Sequence, residues 1–155
     1  MPSHLLHGEG CVLRVRAFID GASRGNPGPA GYGVHLTRDD GIVITARGFL
    51  GETTNNVAEY SGLIEALNLA IDEGAEEVDI ASDSLLLVQQ MRGNYRVKHP
   101  NLKPLWAEAT RRAHRFRRFS IRHVYREENK LADRLANEAI DMRDERVVVR
   151  SSEEG

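Results

Sequence analysis

Ala17-Phe18-Ile19-Asp20-Gly21-Ala22-Ser23-Arg24-Gly25-Asn26-Pro27-Gly28-Pro29-Ala30-Gly31-Tyr32-Gly33 is the stretch on which the fold turns. Val12, Leu13, Val15, Ala17, Phe18 and Ile19 form an apolar run with few polar interruptions, which predicts a strand over 12–20. That run stops on Asp20-Gly21, an acid followed by a residue that tolerates almost any backbone angle. A strand-end acid lies at the rim of a sheet, where side chains of neighbouring strands converge. Asp-Gly is also a common turn pair, so a purely local role fits the same two residues.

Working outward, Tyr32 to Leu36 and Ile42 to Phe49 read as two further strands joined by Arg38-Asp39-Asp40-Gly41. Three strands with short connections imply an antiparallel meander. Val57, Tyr60, Leu63, Ile64, Leu67, Ala70 and Ile71 then recur at helical spacing, and Gly74 marks the helix end. Thr53-Thr54-Asn55-Asn56 supplies capping residues at its start. Glu59 follows Asn56 by one turn, beside the apolar stripe, where it also suits the reciprocal half of a capping box.

Val78-Asp79-Ile80-Ala81-Ser82-Asp83-Ser84 reads as a short strand ending on an acid, followed at once by a helix over Leu85 to Met91. Asp83 or Ser84 could cap that helix. The strand-helix-strand order suggests parallel pairing with the first strand, bringing Asp83 and Asp20 to one rim. Gly93 to Pro104 is polar and irregular. Leu105 to Arg118 reads as a basic amphipathic helix, Phe119 to Tyr125 as the last strand, and Leu131 to Met142 as the last helix. Asp133 lies near that helix's start, where the helix dipole alone would favour it.

A chain of 155 residues with 41% hydrophobic and 28% charged content suits one soluble domain, placed at 11–142 between an N-terminal tail (1–10) and a C-terminal tail (143–155). There is no apolar run of membrane-span length, and Met1 to Gly8 lacks a signal-peptide pattern, so the expectation is a cytoplasmic monomer without membrane contact. Cys11 is single and forms no internal disulfide. Net charge is −2, but Arg92 to Arg118 holds nine Lys/Arg and one Glu, leaving twelve basic and twenty-two acidic residues elsewhere. That asymmetry admits an anionic partner at one place; it equally describes a solvated helix face.

Asp20, Glu59, Asp83 and Asp133 thus each have a local explanation, and the predicted element order supplies a common one by gathering them around one rim. Four crowded carboxylates repel one another unless cations offset the charge. Hard divalent ions such as Mg2+ select oxygen ligands, and a pair of them can activate water and stabilise a leaving oxygen in phosphodiester cleavage.

Phe18-Ile19-Asp20-Gly21 with Gly25-Asn26-Pro27-Gly28, Thr54-Asn55-Asn56-Val57-Ala58-Glu59, Ser82-Asp83-Ser84 and Asn129-Lys130-Leu131-Ala132-Asp133, in this order, resemble the type 1 ribonuclease H family over about 12–140. The resemblance implies an α/β ribonuclease H-like fold with a five-stranded mixed sheet, three antiparallel strands then two parallel, flanked by helices. It implies cleavage of the RNA strand of RNA–DNA hybrids to 5′-phosphate and 3′-hydroxyl ends, with activity on RNA duplexes open. By the same resemblance Asp20, Glu59, Asp83 and Asp133 are catalytic acids holding two Mg2+ ions, for which Mn2+ can substitute. Asp20 would bridge both ions, Glu59 and Asp83 serve one, and Asp133 the other.

Gly21, Asn26, Thr54, Asn55 and Asn56 would contact substrate, Asn26 and Asn55 at RNA 2′-hydroxyls and bases and Thr54 at a DNA phosphate. The chain departs from longer members in lacking a basic handle, so grip on the hybrid would be weaker, or would fall to Arg111, Arg112, Arg115, Arg117 and Arg118. It also lacks a His-containing loop before Asp133. Arg126 takes that loop's role in proton transfer or product release, and His123 is expected inside the strand as a structural residue. One alternative is an enzyme of the same fold with another substrate, such as a junction resolvase or integrase, against which the Asn26 and Asn55 motif speaks; another is a noncatalytic hybrid-binding module, which would gain nothing from clustered negative charge beside phosphate.

Overall fold

The computed structural model describes residues 12–143 and 145–152; the expected N-terminal tail lies outside them. Six strands form one sheet. Strand β1 (Arg14–Ser23) pairs antiparallel with β2 (Gly28–Arg38), which pairs antiparallel with β3 (Ile42–Thr53). On its other side β1 pairs parallel with β4 (Glu77–Ser82), and β4 with β5 (Arg118–His123). These are the three antiparallel and two parallel strands expected, and a sixth, β6 (Val147–Ser152), adds antiparallel to β3.

The helices are α1 (Asn55–Asp72), α2 (Leu85–Met91), α3 (Lys103–Ala113) and α4 (Lys130–Met142). Helix α1 packs on β1 and β2 with α3 against it, and α4 packs on β1, β2 and β3. Alternation along β2 separates the two: Gly31 and Gly33 face α4, whereas Tyr32 lies beside Gly62 of α1. Ile19, Leu63 and Leu67 are fully buried in the layer between α1 and the sheet. Each such side chain contributes on the order of 1.5–3 kcal/mol of apolar burial.

Three boundaries differ from the sequence reading, each for a physical reason. Strand β1 does not stop at Asp20-Gly21. It runs on to Ser23 because β2 supplies partners as far as Ser23↔Ala30, while its parallel pairing with β4 ends at Ile19↔Ser82. Helix α3 spans Lys103–Ala113 rather than 105–118, because Pro104 stands in its first turn, where no amide bond is lost, and Arg118 already belongs to β5. Third, part of the segment after Met142 is strand. Arg143, with φ 54°, ends α4, and β6 then reaches the edge of β3 in a register that sets Val148 opposite Ala46.

Ion pairs fasten that edge. Arg146 Nε donates to Glu65 Oε2 on α1 at 2.9 Å. Glu73, the C-cap of α1, accepts from Arg38 of β2 at 2.7 Å and from Arg150 of β6. Burial works against the Glu73 charge, but the bonds from Arg150 and Arg38 outweigh it and hold the carboxyl below its ordinary value.

Candidate active site

Asp20 occupies the position on β1 directly after its last pairing with β4, so its side chain sits where the parallel half of the sheet opens. Glu59 comes from the second turn of α1. That helix lies so close to β1 that a β-carbon on Gly21 would stand 2.3 Å from the carbonyl carbon of Ala58 and the amide nitrogen of Glu59. Asp83 follows β4 in a turn closed by the Ser84 amide, which donates to Ser82 Oγ at 3.0 Å. Carboxylate oxygens of Asp20, Glu59 and Asp83 lie within 4.8 Å of one another. Asp133, one turn into α4, shares a hydrogen bond with the Asp20 carboxyl from the other face of the sheet. All four line one cleft of about 650 Å³.

Asp20-Gly21 is strand, not turn. The N-cap of α1 is Thr54, whose Oγ1 accepts from the Val57 amide at 3.3 Å, so Glu59 has no part in a capping box. The N-cap of α2 is Ser84, accepting from the Leu87 amide at 3.2 Å, which leaves Asp83 without a capping duty. Asp133 stands in the first turn of α4, where the dipole does favour it, but its carboxyl bonds to Asp20 and to Asn137 Nδ2 at 3.2 Å.

The electrostatics are those of a crowded acidic site. Asp20 is 5% exposed and Glu59 6%. Burial, then the Asp83 charge and the bond to Asp133, pushes Asp20 up to about 8, against a lowering contact from the Gly21 amide. Burial, then Asp20 and Asp83, pushes Glu59 well above the usual carboxylate range. Glu59 Oε1 is buried without a hydrogen-bond partner among the described residues. A buried acceptor left open costs about 1–3 kcal/mol. An all-oxygen donor set with one open buried oxygen and raised carboxyls fits a hard divalent cation, which would satisfy that oxygen and offset the repulsion.

Around the acids, two asparagines lock the neighbouring loop. The Asn55 amide donates to Asn26 Oδ1 at 2.9 Å, and Asn55 Oδ1 accepts from the Ser23 amide at 3.0 Å. Each side-chain oxygen is therefore used internally, and each NH2 remains the group able to donate to a ligand. Gly21, Asn55 and Asn56 line the cleft; Asn26, which is exposed, and Thr54, which is half-buried, are not among its lining residues. Arg126, in a short 3-10 turn (Arg126–Glu128), also lines it.

The sequence reading missed several residues here. Asn129, 1% exposed, donates from Nδ2 to the Ile19 carbonyl at 2.9 Å and so pins the start of α4 beside Asp20. His123 is the last residue of β5, within the strand as expected, yet it lines the cleft and meets Tyr125 edge-on at 5.6 Å. Arg24 and Asn137 line the cleft too. Of the basic run, Arg111 and Arg112 both pair with Glu108. Arg117 and Arg118 bond through their amides to the Glu76 carbonyl at the start of β4 and β5. At strand rise that is about 16 Å from the rim.

Comparison with known proteins agrees with this geometry. A family model described as reverse transcriptase-like matches residues 18–139. A bifunctional protein of Mycobacterium tuberculosis is 50% identical over 131 residues, covering 83% of this chain and 36% of that protein. Ribonuclease HI of Halobacterium salinarum is 44% identical over 129 residues, covering 83% of this chain and 65% of that enzyme. The chain thus spans about a third to two thirds of these relatives' length. The structure of LC11-RNase H1 in complex with an RNA/DNA hybrid matches with a TM-score of 0.78 at 41% identity, covering 83% of this chain and 98% of that one. Sheet order, helix placement and acidic rim define a ribonuclease H-like protein. The chain belongs to the type 1 ribonuclease H family. Among the described residues no helix is long and apolar enough to cross a membrane.

Proposed function

We propose that the chain is an endoribonuclease that cuts the RNA strand of RNA–DNA hybrids, leaving 5′-phosphate and 3′-hydroxyl ends. The observation that carries this is the convergence of Asp20, Glu59 and Asp83 within 4.8 Å at the sheet rim. The hybrid-bound neighbour LC11-RNase H1 supports the choice of substrate.

Asp20, Glu59, Asp83 and Asp133 would hold two divalent ions, Mg2+ with Mn2+ able to substitute. Such ions, when bound, make coordinated water acidic and neutralise charge on the leaving oxygen. The chain's own groups supply position. The NH2 groups of Asn26 and Asn55 donate to RNA 2′-hydroxyls in the minor groove, the contact by which RNA is told from DNA. Gly21 lets α1 approach β1, and Asn56 borders the same groove. Thr54, with neighbouring backbone amides, receives a DNA phosphate and fixes register without reading sequence.

Grip on the hybrid falls to Arg111, Arg112, Arg115, Arg117 and Arg118, or is weaker than in members that carry a basic handle. Arg126 relays a proton or hastens product release. An Arg126→Ala variant should therefore lose turnover with KM little changed, and unchanged turnover would remove it from the mechanism.

The test is digestion of an end-labelled hybrid with Mg2+ and with EDTA, beside RNA and DNA duplexes, with product ends mapped. The reading predicts metal-dependent cuts in RNA alone, ending in 5′-phosphate. Cutting of RNA duplexes as well would widen the substrate class, since they present the same 2′-hydroxyls. Absence of cutting with either metal, despite hybrid binding, would favour a binding module.

A further inference from the structure

Asp133 is held from behind. Asn137, one turn further along α4, donates from Nδ2 to the Asp133 carbonyl at 3.0 Å and to its Oδ1 at 3.2 Å. The amide of Asn137 is itself oriented, because its Oδ1 accepts from Arg24 NH2 at 3.1 Å. Arg24 is anchored in turn by Asp141, one more turn along, at 2.7 Å from its NH1. A neutral amide can swap its oxygen and nitrogen ends; a guanidinium donor on one side and a carboxylate on the other leave one orientation.

Arg24 is the residue that enters the loop carrying Gly25 and Asn26. That loop is clamped to the opposite helix through Ser23 and Asn26 to Asn55. The loop is thus bonded to α1 on one side and α4 on the other, and the α4 bonds end on an acid of the site.

The geometry points to Arg24 and Asn137 as a positioning pair that fixes the Asp133 carboxylate and ties it to the loop contacting the RNA strand. The inference rests on the reading of Asp133 as a cation-holding acid. Neither residue needs to touch the reacting atoms. Partners of this kind orient metal-holding carboxylates, and their loss costs about 10–100-fold in metal affinity or activity. Both side chains lie at or near the surface, so their removal leaves the core intact.

Direct binding of Mn2+ by calorimetry, without substrate, and steady-state cleavage of a hybrid test it on wild type, Arg24→Ala, Asn137→Ala, the double variant, Arg24→Lys and Asp133→Asn. Asn137→Ala should weaken Mn2+ binding and lower kcat each about tenfold, with KM within about threefold. Arg24→Ala should move both in the same direction by about threefold, and the double variant should match Asn137→Ala, because the two act in series. Arg24→Lys, which keeps a donor, should recover most of the loss.

Wild-type Mn2+ affinity and kcat in both single variants would overturn the proposal. So would losses that multiply in the double variant, or an Arg24→Ala effect on KM alone, which would mark direct substrate contact. If wild type and Asp133→Asn bind Mn2+ alike, the reading of Asp133 itself fails, which is a separate result from a silent Asn137→Ala.

Discussion

A β-carbon placed on Gly33 would stand 2.3 Å from the carbonyl oxygen of Ala132. Gly33 lies opposite Asp20 across β1 and β2, and Ala132 immediately precedes Asp133, so this one close approach sets the two acids together. The other contacts are the Ala136 amide nitrogen and the Leu135 β-carbon, both at 2.7 Å, and neither can step aside as the far end of a flexible side chain would.

Gly33→Ala should therefore push α4 off the sheet. The expected cost is about 1–3 kcal/mol of stability from overpacking. Displacing Asp133 by as little as about 1 Å should lower kcat on the order of 100-fold. Thermal unfolding and hybrid cleavage check both, and a variant with wild-type turnover would show that α4 placement does not set the site.

Asp20→Asn should make the protein inactive and, without metal, more stable. A carboxyl raised to about 8 in the fold from 3.8 unfolded resists ionisation, so its penalty is absent near pH 4, grows as pH rises, and is complete above about 8. In EDTA the variant should melt roughly 2–8 °C above wild type at pH 8, or about 1–2 kcal/mol for this chain length, and level with it near pH 4. Saturating Mg2+ should reverse that order. Equal melting of the two proteins at pH 8 in EDTA would contradict the electrostatic account.

Glu73→Gln tests the fastening of β6. Its carboxyl is held below the ordinary value, so it adds stability above about pH 4.5 and loses it as pH falls through the lowered folded value. The variant should lose about 1 kcal/mol at pH 7, as a partly buried ion pair does, and less at pH 3. Urea unfolding at the two pH values reads this directly.

Much of the site was legible because its residues sit in short motifs whose backbone roles are local. Asp20-Gly21, Asn55 to Glu59 and Ser82 to Ser84 each announce an acid beside a strand end or helix start. What sequence left open was which residue caps each helix; Thr54 and Ser84 settle it through hydrogen bonds three residues long. The unreadable parts are long-range. Arg24 meets Asn137 across 113 residues, and Asn129 meets Ile19 across 110, with no periodic pattern linking them. Val147-Val148-Val149 is too short to declare a strand until β3 offers an edge. The stretch up to Pro104 reads as irregular because proline ends a helix from inside, yet it is accepted in the first turn, where Pro104 stands.

The central claim is that the acidic rim performs hydrolysis rather than serving the fold. Asp83 tests it most cleanly, since it caps no helix and is only half-buried. Cleavage of an end-labelled RNA–DNA hybrid in Mg2+ should be compared for wild type and Asp83→Asn, with hybrid binding measured on both. The account predicts binding within about threefold of wild type and a fall in kcat of at least about 1,000-fold, of the order expected when an electrostatic group is removed from a catalytic centre. An Asp83→Asn protein that binds and cuts the hybrid at the wild-type rate would contradict it.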